Sequence, residues 1–228
     1  MAKLVWDQTG KRYYETGVSQ VVLYPANSAG NGTYTTGVAW NGVTSINESP
    51  DGADPNDLWA DNIKYASLYS NETFGFTIEA YTYPDEWNSC MGRPNIAGAY
   101  VGQQKHLGFG LCYRTEIGND TPTDGDDGYL LHIIYNAMAQ PSDSDYETIN
   151  DSPDAIQFSW ECTTTPIDLG ITGIKQPAAT MTIDSRKFTK AKMTALEDIL
   201  YGRDAASGVT PLTPTLPTPS TIVSTLLS

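Results

Sequence analysis

Two histidines, three cysteines and 27 acidic residues are the groups in this 228-residue chain able to shuttle protons, attack a substrate or hold a metal. Catalysis needs several such groups to converge, and the spacing offers little convergence. His106 and His132 lie in or beside predicted strands with no Cys, Asp or His at ligand spacing, so they read as structural or surface histidines. Cys90, Cys112 and Cys162 are odd in number and widely spaced, with no CxxC, which fits reduced, buried small side chains better than a disulfide or metal site. Asp124, Asp126 and Asp127 in TDGDDG, and Asp51, Asp54, Asp57 and Asp61 further upstream, carry the oxygens that Ca²⁺ prefers. Neither set has the register of the EF-hand loop, and both read as solvated acidic loops. Glu79 and Glu161 would make a glycosidase pair only at a separation that sequence does not set. GxSxG, P-loop, HExxH and zinc-ligand signatures are all missing from the sequence. The expectation is a protein that is not an enzyme and needs no cofactor or metal.

Charge narrows the classes further. A formal net charge of −14, from 27 acidic and 13 basic residues, opposes nucleic-acid binding, because affinity for phosphates comes from Lys and Arg that displace counterions. Taken alone, such a charge reads as a surface that keeps the protein soluble. No uninterrupted apolar run approaches the roughly 20 residues of a membrane helix, and MAKLVWDQTGKRYYETG lacks a secretion signal's apolar core. A non-membrane protein assembled in the cytoplasm is expected.

Alternation supplies the elements. ETFGFTIEAYTY (Glu72 to Tyr83) sets Phe74, Phe76, Ile78 and Ala80 against Thr73, Thr77, Glu79 and Tyr81, the period of a half-buried strand. Ile156 to Thr164 repeats the pattern, with Ile156, Phe158, Trp160 and Cys162 opposing Gln157, Ser159, Glu161 and Thr163. Further strands are predicted at Val18–Tyr24 and Thr33–Trp40, forming a hairpin, and at Leu107–Ile117, Tyr129–Tyr135 and Ala179–Asp184. YLLHIIY is apolar on both faces, as a central strand should be. PDEWNSC allows a short helix, and Ala191–Tyr201 has an amphipathic helical spacing closed by Gly202. Asn41–Asn62, rich in Asp, Asn, Gly and Pro, reads as a long contact loop, and GNDTPTDGDDG as an acidic loop. The fold class expected is mainly β, an antiparallel β-sandwich with one or two packed helices, over residues 1–202. Residues 203–228, with Pro211, Pro214, Pro217 and Pro219, read as an extended or disordered tail.

The segment ESPDGADPNDLWADNIKY running into ETFGFTIEAYTY, followed by TINDSPDAIQFSWECTTTP, ATMTIDS and ALEDILYG, resembles the major tail protein of long-tailed, non-contractile bacteriophages. The blocks keep their order from about Lys3 to Gly202. The resemblance implies a tail-tube β-sandwich whose copies assemble into hexameric rings stacked as a hollow tube in the virion tail. It implies as partners further copies of the chain, a tape-measure protein, a tail terminator, baseplate or initiator proteins, and DNA in transit without tight binding. Thr73, Thr77, Glu79, Tyr81, Gln157, Ser159, Glu161 and Thr163 become candidates for the lumen. Asn47, Glu48, Asp51, Asp54, Asp57, Trp59 and Asp61 become candidates for the inter-subunit loop. The rival expectation is a carbohydrate-binding or adhesion module, using the five tryptophans and fourteen tyrosines as a platform. In that comparison Trp160 reads as core, and Trp59 and Trp87 as interface aromatics.

Overall fold

A computed structural model describes residues 3–27, 33–52, 54–121, 127–146, 148, 154–205 and 210–227. The strands among them are β1 (Tyr13–Pro25), β2 (Val38–Ala39), β3 (Val43–Gly52), β4 (Pro55–Ala60), β5 (Ile63–Tyr69), β6 (Glu72–Ala80), β7 (Asn95–Ile96), β8 (Ala99–Tyr100), β9 (Phe109–Asn119), β10 (Tyr129–Ala139), β11 (Phe158–Thr164) and β12 (Thr180–Asp184). The helices are α1 (Trp87–Cys90), α2 (Lys190–Tyr201) and α3 (Pro219–Leu227). Eight strands form one antiparallel sheet in the order β2-β1-β9-β10-β11-β6-β3, with β12 also paired to β10.

One strand makes this sheet into a sandwich. The first part of β10, Leu130 to Ile134, pairs with β12 and β9, while its end, Ala137 to Ala139, pairs with β11. Between them the β9 register shifts and Asn136 takes φ 49°, a left-handed conformation that asparagine tolerates better than most residues. Such an irregularity bends a strand. It lets β11-β6-β3 fold over β1-β9-β10. Val21, Leu23, Phe109, Leu111 and Ile134 from one layer then meet Phe76, Ile78, Trp160 and Cys162 from the other. Trp40, Trp87 and Trp160 close one end, with ring centroids 4.6 to 5.6 Å apart.

The opposite face of β1-β9-β10 carries a second core. Val22, Tyr24, Cys112, Leu131, Ile133 and Tyr135 pack there against Met193, Leu196 and Leu200 of α2 and Ile222 and Leu226 of α3. β10 is therefore covered on both faces, as YLLHIIY predicts. The expected helix at 191–201, the strands at 18–24, 107–117, 129–135 and 179–184, and the short helix after Pro84 are all present. Gly202 ends α2 at φ 83°, where a Cβ would lie 2.9 Å from Leu212 O.

Three expectations are corrected. Asn41–Asn62 is not a loop: β3 and β4 occupy most of it as one side of a long antiparallel ribbon whose other side is β5 and β6. Its residues are exposed on both faces toward the tip, so the apolar alternation that marks a strand is missing, and Pro50 is tolerated because β3 is an edge strand. The 203–228 segment is not simply extended. Thr218 Oγ1 accepts from Thr221 N–H at 3.4 Å, Pro219 begins α3, and Leu216, Ile222 and Leu226 are buried. Bonds from Gly37 N–H to Pro214 O, Thr215 N–H to Ile199 O and Tyr135 O–H to Pro217 O tie the Pro-rich run down. Finally, Trp87 is fully buried and is no interface aromatic. Asp124 and Asp126, and most of the hairpin turn PANSAGNG, lie outside the described residues.

Candidate functional site

The period-two pattern of β6 and β11 decides what the second layer shows to solvent. Ser159 lies opposite Glu79, and Glu161 opposite Thr77, while on the other side of β6 Ser45 lies opposite Glu79, Asn47 opposite Thr77 and Asp51 opposite Thr73. Directly paired residues share a face. Thr73, Thr77, Glu79, Ser159, Glu161 and Thr163 therefore share one outer face, with Tyr81 and Gln157 together at the end beyond the Glu79–Ser159 pair. Gln157 Nε2 donates to Glu79 Oε2 at 3.3 Å and Ser45 Oγ to the same oxygen at 2.8 Å. All eight lumen candidates are brought together. Asn47 and Asp51 of the presumed loop sit on this face too, with Ser45 and Ser49, which sequence reasoning missed. No residue of β3, β6 or β11 is Lys or Arg.

This layer is open at its sides. β3 has β6 on one side and, among the described residues, no strand on the other. β11 meets β10 in a ladder from Cys162 to Thr164, so among the described residues Phe158 to Trp160 have a ladder to β6 alone. Unpaired N–H and C=O groups along such edges are templates for another chain.

From the layer an arm projects. The β3–β6 and β4–β5 ladders run at the same offset, from Ser45 opposite Glu79 to Leu58 opposite Ala66, so the two faces carry on along the ribbon. On the continuation of the core-facing side stand Leu58, Ala60, Ile63, Ala66 and Leu68, with nothing beneath them. Leu58, Ile63 and Leu68 are exposed. The other side carries Trp59, Tyr69 and Asp57. Asp57 is held by Lys64 Nζ at 2.8 Å and by the Ser67 hydroxyl at 2.6 Å, which keeps its carboxyl below the usual range. Asp54, Asp57, Trp59 and Asp61 are thus on the arm. Glu48 is not.

Glu48 turns inward at the arm's base. It accepts from Tyr113 O–H at 2.5 Å and lies 3.9 Å from His132 Nδ1. His132 Nε2 is 3.3 Å from Glu15 Oε1 and 3.0 Å from Thr115 Oγ1, and its ring stacks on Tyr113 at 4.7 Å. Burial, then the bond to Glu48, push the Tyr113 hydroxyl well above the ordinary phenol range. His132 links β1, β3 and β9 and is structural, while His106 Nδ1 meets Ala139 O at 2.9 Å.

Among the described residues no three His, Cys, Asp or Glu side chains are grouped to hold a metal, and no helix is long and apolar enough to cross a membrane. All three cysteines are buried, and burial pushes the Cys90 and Cys112 thiols up to about 12. Of the five tryptophans, Trp40, Trp87 and Trp160 lie in the core, leaving Trp6 and Trp59 exposed. No family model matches the chain. No curated protein matches it either.

Proposed function

We propose that this chain is a structural subunit of a bacteriophage tail tube, assembling through the open edges of β3 and β11 into hexameric rings that stack around a hollow, acidic lumen conducting DNA. One observation carries the reading. The β11-β6-β3 layer combines an outer face of hydroxyls, amides and carboxylates, free of Lys and Arg, with two edges that have no further strand beside them among the described residues, along all of β3 and along Phe158 to Trp160 of β11. Closing the layer against copies of itself satisfies those edges and turns the polar face toward the axis. A wall of that composition wets and repels phosphate rather than gripping it. The resemblance of the sequence blocks to major tail proteins points the same way, and brings the tape-measure protein, tail terminator and baseplate initiator as further partners.

Negative-stain electron microscopy with light scattering across a concentration series tests it. Rings or hollow tubes of uniform width are expected. Solid filaments, or a lumen lined by Lys11, Arg12 and Lys64, would contradict the assignment. A monomer at every concentration, with or without added tail initiator, would favour the carbohydrate-binding alternative and a glycan screen.

A further inference from the structure

The apolar side of the arm stands exposed, and a second exposed apolar segment of the fold matches its chemistry. Residues 3–12, KLVWDQTGKR, precede β1. Gly10 anchors them, its N–H donating to Asp120 Oδ1 at 2.9 Å and its carbonyl accepting from Asn119 Nδ2 at 3.0 Å. Beyond that anchor Leu4, Val5 and Trp6 stand 72 %, 65 % and 71 % exposed, three consecutive large apolar side chains in water. Neither this run nor the stripe of Leu58, Ile63 and Leu68 is covered within one chain.

Charge gives the pairing its direction. The segment carries Lys3, Lys11 and Arg12 against a single acid, Asp7, in a chain of net charge −14, with Arg12 lying 3.8 Å from Asp120 of its own chain. The arm from Asp51 to Glu72 carries Asp51, Asp54, Asp57, Asp61 and Glu72 against a single base, Lys64, which is already spent on Asp57. Two arms packed on each other would bring acids together, whereas segment on arm brings opposite signs around an apolar centre. Position agrees as well. Glu15 of β1 and Glu48 of β3 meet at His132, and from that point β1 runs back to the segment while β3 runs on to the arm. Segment and arm therefore set out from the same junction of β1 and β3.

We infer that residues 3–12 of one copy lie along the Leu58–Ile63–Leu68 face of the arm of an adjacent copy, with Trp6 as the apolar anchor and Lys3 and Lys11 toward the net-acidic arm. The inference names the partner of the arm and rests on the self-association in the reading above.

Cross-linking between two tagged populations tests it. Full-length Leu4→Cys with one tag and Leu68→Cys with another are mixed and mildly oxidised, the native cysteines being buried and out of reach. A dimer carrying both tags is expected, its half-yield concentration rising about tenfold or more on adding Trp6→Asp to the first chain, as loss of a buried aromatic anchor requires. A double-cysteine chain that closes only on itself, or no link at all, would overturn the inference. Tubes without the link would overturn it while leaving the tube reading intact. The link without rings or tubes would keep this contact and contradict the tube reading.

Discussion

The core-facing side chains make the sharpest claims about single residues. Cys90 and Cys112 are fully buried, and their thiols stay protonated in the folded chain up to about 12, against an ordinary value near 9. Between those limits the folded state binds protons that the unfolded state has released. Stability is therefore whole below pH 9 and falls as the pH rises, by about 1.4 kcal/mol per pH unit for each thiol. Urea denaturation at pH 8, 9 and 10 checks this, and at pH 8 a thiol reagent should label none of the three cysteines before unfolding and all three after it. Trp87, at the centre of the aromatic cluster, should cost about 3–5 kcal/mol when cut to alanine, read as a fall in the denaturant midpoint. Tyr113→Phe removes the bond that holds Glu48 inward. Because Glu48 is partly exposed, the cost should be only about 1 kcal/mol.

At the level of elements, the legible parts of the fold were those where one face is buried and the other wet. β6 and β11 alternate because Phe76, Ile78, Trp160 and Cys162 enter a core while Thr77, Glu79, Ser159 and Glu161 do not, so the polar face was readable residue by residue. The arm was not readable. Its strands carry apolar residues with nothing over them in the single chain, and Pro50 and Pro55 read as punctuation although one lies on an edge and the other opens β4. α3 hid for a different reason: four prolines in close succession suggest an extended run, while the helix begins at the last of them and depends on Ile222 and Leu226 meeting α2 and β10. Glu48 differs from expectation because direction across a sheet depends on register, which sequence alone does not set, and Trp87 because the short helix α1 turns it into the core instead of leaving it in a loop. If α3 belongs to the core, Ile222→Ala should destabilise the whole domain by about 2–5 kcal/mol in thermal or urea unfolding. A tail that merely lay on the surface would leave the midpoint unchanged.

Across the whole molecule charge is polarised. Arg186, Lys187, Lys190, Lys192 and Arg203 gather around α2, on the far side from the polar face of β11-β6-β3, which has no cation. A tube built on that face has a wall DNA slides past, and adding charge should spoil it. Glu161 and Thr163 are exposed, so Glu161→Lys with Thr163→Lys should change stability by no more than about 0.5 kcal/mol per site. Assemblies of that variant should retain DNA at low salt in a filter assay and release it as salt rises, while the parent retains none. The central claim, that the β3 and β11 edges close on neighbouring copies and turn this face inward, is tested most directly by electron cryomicroscopy of the assembled particle. A closed ring of strands is expected, in which β3 of each copy pairs with β11 of the next and Thr77, Glu79, Ser159 and Glu161 line the channel. A particle whose β3 edge stays unpaired, or whose channel is lined by the cations around α2, would contradict it.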